Sequence, residues 1–187
     1  MYERQGTYSG IMFDLDFKLN AGGDIPVNQI HYHRLCIGVF KILMKFLHYA
    51  EDEIGEQRTY PVGFTKKPKI VYDNEGDYYK YGIHMLIPGI QITREFKKLI
   101  IDTAEDEELM EKVFKDITPH ESIVRSDFLD KNSAHIGTFF VGSASKINTP
   151  AYDFDVTYNV QITVGESDDI IPIKVSDFAS SDNNNNI

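Results

Sequence analysis

The stretch Ser9–Leu19, with the sequence SGIMFDLDFKL, alternates apolar and polar residues and decides the fold of this chain. Side chains of a β-strand point alternately to its two faces, so Phe13 and Leu15 share one face while Asp14 and Asp16 share the other. The two carboxylates are then about 7 Å apart at Cα, where they repel unless one is protonated or a cation lies between them. Because hard oxygen ligands favour Mg²⁺ or Mn²⁺, the stretch predicts a divalent metal site. The competing interpretation is a half-buried edge strand with a solvated acidic face.

The composition is that of one globular domain, since 42% of the 187 residues are hydrophobic and can form a sizeable core. The formal net charge of −10 argues against a uniformly basic nucleic-acid-binding surface but is compatible with a local basic cleft. The single cysteine, Cys36, lies in an apolar helical pattern and is expected to be a core residue. One cysteine excludes an intrachain disulfide and a thiolate-rich zinc site, and favours a reducing compartment. With neither a bilayer-spanning apolar run nor a signal peptide, we expect no membrane partner.

The spacing of apolar residues also predicts the remaining elements. Helices are expected over 29–50, over 93–102 with Thr93 as the N-cap, and over 106–115. Further strands are expected over 59–65, 68–72, 78–88, 139–141, 152–164 and 170–175, the first two separated by a basic turn at Lys66 and Lys67. This order of half-buried strands and helices favours an α+β fold, with a mixed or antiparallel sheet and helices packed on one face. We expect one domain over 1–178 and a disordered tail over 179–187.

A second polar cluster lies in the predicted strand 78–88, where Lys80, Gly82 and His84 share one face. Gly82 has no Cβ, so a ligand or another backbone can approach the strand closely there. An ammonium group and an imidazole beside bare backbone suit an anionic oxygen, such as that of a nucleotide phosphate. The alternative interpretation is a surface histidine on a strand.

A third cluster lies further along the chain. Asp130 follows an apolar residue and could complete a triad with the two strand aspartates, with Asp127 as a rival for that place. Ser143 ends a short predicted strand, and together with Lys146 it could offer N–H groups, a hydroxyl and an ammonium to phosphate. The alternative is an ordinary polar turn.

His31 and His33 stand two residues apart at the start of the first predicted helix. Residues with this spacing do not face each other on a helix. We therefore expect a solvated flank without a metal-binding role.

The order of the three clusters resembles the archaeo-eukaryotic primase superfamily, in particular the primase domain of the primase–helicases of large nucleocytoplasmic DNA viruses, of the African swine fever virus type. The order is an hDhD strand, a small-x-His strand, and an h-Asp followed by a Gly-Ser turn, where h is an apolar residue. The matching segments are 3–16, 80–89, 129–134 and 142–152, and the likeness continues to about residue 173.

The resemblance implies an RRM-like primase palm that catalyses DNA-templated nucleotidyl transfer with two divalent metals, Mg²⁺ or Mn²⁺. By position, the metal ligands and catalytic residues would be Asp14, Asp16 and Asp130. The expected nucleotide-binding residues are His84, Gly82, Lys80, Ser143 and Lys146. The implied partners are nucleoside triphosphates, a single-stranded DNA template and a helicase module in cis or in trans, acting in viral DNA replication in the host cytoplasm.

Three features of the chain depart from that pattern. Gly82 stands where many relatives have serine, relatives carry residues before the first catalytic strand, and no Walker-type phosphate-binding motif occurs. We therefore expect the domain to be N-terminally incomplete. The alternatives to a primase are a non-catalytic primase-fold module that binds nucleic acid or a replisome partner, and an unrelated metal-dependent phosphoryl-transfer or nuclease domain.

Overall fold

Antiparallel strands form the main layer of the fold, as seen in a computed structural model that describes residues 2–4, 8–19, 27–73, 78–117, 138–140 and 151–177. The strands are β1 Tyr2–Arg4, β2 Ser9–Leu19, β3 Gln57–Lys66, β4 Val71–Asp73, β5 Tyr78–Ile92, β6 Thr138–Phe140, β7 Asp153–Thr163 and β8 Glu166–Asp177. The α-helices are α1 Gln29–Phe46, α2 Arg94–Asp106 and α3 Leu109–Val113, and Glu51–Glu53 forms a short 3₁₀ turn.

Six of the strands form one antiparallel sheet in the order β2-β5-β3-β7-β8, with β4 also paired to β5. The strands β1 and β6 pair with each other in a separate two-stranded sheet. Three helices pack beside the large sheet, which confirms the predicted α+β class. The RRM-like character of the palm stays a prediction. Among the described residues, no helix is both long enough and apolar enough to cross a membrane.

Several predicted boundaries were wrong because tertiary contacts override local patterns. Helix α1 ends at Phe46 rather than at residue 50, and beyond it Tyr49 packs under the guanidinium of Arg58. Helix α3 is shorter than predicted. Strand β5 runs beyond Pro88 to Ile92. Its pairing with β2 shifts register between Gly10 and Ile11, so Pro88 has no partner residue in β2, and its missing N–H interrupts no hydrogen bond between the two strands.

The core lies between the apolar face of the sheet and the helices. Phe13 and Phe17 of β2 are fully buried, as the alternation predicts. Tyr32 of α1 stacks on Phe64 of β3 with ring centroids 4.4 Å apart. Cys36 is fully buried in the same core, which confirms its predicted place, and burial raises the pKa of its thiol so that it stays protonated. Because this face is filled by apolar packing, the polar side chains of β2 lie on the opposite face.

A half-buried carboxylate ties helix α1 to the sheet. The pairing of β3 with β7 shifts between Phe64 and Thr65, which leaves Asp155 as an extra residue in β7. Asp155 accepts a hydrogen bond of 2.7 Å from the hydroxyl of Tyr32 and forms an ion pair of 2.7 Å with Lys66. Lys66 is therefore a strand residue with a fixed partner, and the predicted basic turn was wrong at this position.

His31 is buried, so the expectation of a solvated flank was wrong for this residue. Its Nδ1 accepts a hydrogen bond of 3.1 Å from the backbone N–H of Asn28, and its ring stacks on Phe114 with centroids 5.5 Å apart. Asn28 in turn caps α1 by accepting a hydrogen bond from Ile30. Burial lowers the pKa of His31 despite the attraction of Asp116, whose carboxylate lies 3.9 Å from Nε2.

As the pH is lowered below the ordinary histidine pKa of 6.5, we expect the free energy of unfolding to decrease, partly because of His31. The unfolded chain takes up a proton on this residue more readily than the folded chain, in which Nδ1 is a hydrogen-bond acceptor. His31→Gln should therefore flatten the loss of stability below that pH, measured by urea unfolding at several pH values. His33→Gln, at an exposed position of the same helix, is the control for the loss of one histidine from α1. Equal slopes for His31→Gln and the wild type would contradict this account.

Candidate active site

The pairing of β2 with β5 brings the first two predicted clusters together. Asp14 lies directly opposite His84, and Asp16 lies directly opposite Gly82. Opposed residues of antiparallel strands point to the same face, so the carboxylates, the imidazole and the bare glycine backbone share one surface. The sequence predicted the composition of each cluster, and the register of the two strands joins them.

Each aspartate has a basic partner on the neighbouring strand. His84 Nε2 lies 3.3 Å from Asp14 Oδ1, and Lys80 Nζ lies 3.2 Å from Asp16 Oδ2. The side chains of Asp14 and Asp16 are 20% and 22% exposed, whereas that of His84 is only 6% exposed. The lysine cation and, when protonated, the imidazole offset the repulsion between the carboxylates. The two carboxylates thus lie on a partly buried surface, each beside a basic group.

Three polar atoms in a row across this surface are buried without a hydrogen bond among the described residues: Asp14 Oδ1, His84 Nδ1 and Thr65 Oγ1. The row follows the sheet, because Asp14 pairs with His84 on one side and Thr65 pairs with His84 on the other. Buried polar atoms are almost always hydrogen-bonded or bound to water or an ion. A buried carboxylate oxygen that accepts no hydrogen bond from the described residues, beside a second carboxylate, therefore fits a hard divalent cation.

Tyr152, which precedes β7, covers this surface. Its ring stacks on His84 with centroids 3.8 Å apart and an angle of 18° between the planes. Burial, and then the nearby charges of Asp14 and Asp16, raises the pKa of the Tyr152 hydroxyl, so the phenol stays protonated at neutral pH. The hydroxyl is thus a hydrogen-bond donor on an acidic surface.

Lys67 is, with Tyr152, a second residue that the structure places at this surface and that sequence reasoning did not assign to it. It was predicted in a basic turn between two strands. It is only 7% exposed, and its backbone N–H donates a hydrogen bond of 3.0 Å to the carbonyl of Gly82. Its ammonium lies 5.6 Å from the ring centroid of Tyr152. Nothing in the local pattern marks either residue, because both reach the site through the pairing of distant strands. The only available signal is that Tyr152 lies in a segment of the primase resemblance.

The remaining predicted site residues lie outside the described residues: Asp130, its rival Asp127, Ser143 and Lys146. Among the residues that the structure describes, no group of three or more His, Cys, Asp or Glu side chains could hold a metal ion. The described part of the site therefore supplies two of the three predicted carboxylates. The third ligand stays a prediction.

Replacing Thr65 by valine should stabilise the protein in the absence of ligand. The substitution keeps the shape of the side chain and removes a buried hydroxyl that lacks a partner, so we expect a gain of about 1 kcal/mol in the free energy of unfolding. Urea unfolding measures this difference, with Thr59→Val at an exposed position of the same strand as the control. A loss of stability in Thr65→Val would show that the hydroxyl already has a partner.

Comparison with known proteins assigns the chain to a family. Residues 1–158 match the family model described as the C962R protein N-terminal AEP domain, where AEP denotes archaeo-eukaryotic primase. Three relatives named "Putative primase C962R", from Malawi, Namibia and Badajoz sources of African swine fever virus, are each 32% identical to this chain over 176 residues. The matched region covers 91% of this chain but only 16% of each relative. The chain therefore belongs to the family of the N-terminal archaeo-eukaryotic primase domain of these viral proteins.

Proposed function

We propose that this chain is the catalytic domain of a DNA primase, a DNA-templated nucleotidyltransferase that acts on nucleoside triphosphates in viral DNA replication. The observation that carries the proposal is the four-residue arrangement of Asp14, Asp16, Lys80 and His84. Two carboxylates on one strand face a lysine and a histidine on the next, each pair within 3.3 Å. Membership of the primase family supports the same reaction.

Asp14 and Asp16 are proposed to bind Mg²⁺ or Mn²⁺, together with Asp130 or, in its place, Asp127. A pair of such ions would lower the pKa of the attacking 3′-hydroxyl and stabilise the charge of the departing pyrophosphate. Asp14 Oδ1 is suited to this role because it is buried and accepts no hydrogen bond from the described residues. The protein then mainly supplies position and charge.

Lys80 and His84 are proposed to bind the triphosphate. Lys80 is one-third exposed and can exchange its contact with Asp16 for a phosphate oxygen once that carboxylate serves as a metal ligand. His84 keeps Nε2 near Asp14, and its buried Nδ1 has no hydrogen-bond partner among the described residues. Ser143 and Lys146 are predicted to add further phosphate contacts. The proposed partners are a single-stranded DNA template and a helicase module in cis or in trans.

Asp16→Asn should abolish primer extension, because it removes one charge of the proposed metal site while keeping the shape of the side chain. We expect a loss of at least about 100-fold in the rate of nucleotide incorporation on a primed DNA template with Mn²⁺. Asp106→Asn is the matched control, since Asp106 is an exposed acid at the end of α2. The two variants change the net charge equally, so a difference between them reports on the site.

Three outcomes would contradict the proposal. Equal extension by the wild type and Asp16→Asn would exclude a catalytic role for this carboxylate. Shortening of the DNA strand would indicate a nuclease. Salt-sensitive binding of single-stranded DNA that survives Asp14→Asn, without any extension by the wild type, would indicate a non-catalytic binding module.

Lys80→Met should weaken the binding of a nucleoside triphosphate more than that of the corresponding monophosphate. One lost charge-assisted contact corresponds to about 10-fold in Kd for the triphosphate. Isothermal titration of both nucleotides in Mn²⁺ measures the two affinities. Lys69→Met, at an exposed position between β3 and β4, controls for the change in net charge. Equal weakening of both nucleotides would assign Lys80 to another part of the site.

A further inference from the structure

The space beside Gly82 is occupied by a neighbouring side chain. A Cβ atom at this position would overlap the hydroxyl oxygen of Tyr152 and would lie 3.1 Å from Tyr152 Cζ and 3.3 Å from Asp16 Oδ1. The conflict is with a ring that stacks on His84, so a rotation of the tyrosine away from the new methyl group would disturb that stacking. Gly82 therefore allows Tyr152 to lie flat over β5.

Tyr152 in this position determines where the imidazole of His84 can lie. The two rings are nearly parallel and in contact, and the ammonium of Lys67 lies near the ring of Tyr152. The imidazole is thus held by ring stacking, while Nε2 remains 3.3 Å from Asp14. A stacked pair of this kind adds both contact energy and a fixed ring plane.

We propose that Tyr152 is a positioning residue for His84, and that position 82 must be glycine because the Tyr152 hydroxyl fills the place of its side chain. Gly82, Tyr152 and His84 then form one unit in which a larger residue at 82 displaces the tyrosine and releases the imidazole. The importance of this unit for nucleotide binding rests on the proposed function, whereas the positioning itself does not require a ligand. The unit also gives a physical reason why this chain has glycine where a serine would be expected in a primase.

The test is a four-protein comparison of the wild type, Gly82→Ala, Tyr152→Phe and the double variant. The primary readout is the NMR signal of the His84 ring protons at one fixed pH, with histidine-selective labelling and assignment through His84→Gln. A stacked aromatic ring shields these protons, so the signal should lie upfield in the wild type and in Tyr152→Phe. In Gly82→Ala most of the upfield displacement should be lost. The double variant should regain it, because phenylalanine lacks the oxygen that the new methyl group meets.

Gly63→Ala is the matched control. Gly63 lies on the adjacent strand β3, opposite Leu86 of β5, and a Cβ there meets nothing within 4 Å. It should therefore leave the His84 signal at the wild-type position. A wild-type signal in Gly82→Ala, or a double variant as perturbed as Gly82→Ala alone, would overturn the proposal.

Two additions keep the test decisive. If Gly82→Ala does not fold, as judged by circular dichroism, Tyr152→Leu replaces it, since it removes the ring and leaves Gly82 in place. An unchanged His84 signal in Tyr152→Leu would then overturn the proposal.

Nucleotide affinity is the second readout. Gly82→Ala should bind a nucleoside triphosphate about 10-fold more weakly than the wild type, and the double variant should recover most of that loss. A wild-type His84 signal that does not respond to Mg²⁺ and a nucleoside triphosphate would contradict the proposed function alone, because the ring comparison is made without ligand.

Discussion

The register between β2 and β5 is the constraint on which the candidate site depends. Because side chains alternate between faces, a slip of one residue would move both aspartates of β2 into the apolar layer and bring phenylalanines to the surface. The fully buried Phe13 and Phe17 oppose that slip, since exposing either would cost about 2 kcal/mol or more. The hydrophobic core therefore fixes the pairing of Asp14 with His84 and of Asp16 with Gly82.

The charged side chains of this surface form two acid–base pairs. The chain carries a net charge of −10, yet its two central carboxylates each have a basic neighbour from β5. Such pairing orients the two carboxylates in the absence of a ligand. In the proposed function, a divalent cation would take the place of the basic groups beside the carboxylates, and a phosphate group would take the place of the carboxylates beside the basic groups. The site thereby avoids the cost of bringing two bare anions together.

The sequence predicted those features that depend on local periodicity. The period of two in β2 assigned Asp14 to the polar face correctly, the Thr93 cap of α2 was correct, and the apolar spacing of α1 placed Cys36 in the core. Features that depend on the meeting of distant segments could not be predicted in this way. Tyr152 reaches His84 from the segment just before β7, and nothing near it in the chain marks that contact. His31 was misjudged because its burial depends on Phe114, far along the chain.

The carboxylate of Asp155 connects helix α1 to β3 and to the segment that follows Tyr152. It is held by Tyr32 from α1 and by Lys66 from β3, and it lies three residues after Tyr152 in the chain. The helix thus fixes the segment from which the tyrosine reaches over the histidine. A substitution far from the candidate site can consequently disturb it. A change at Tyr32 in α1 would remove its hydrogen bond to Asp155, and so a contact that holds the segment carrying Tyr152.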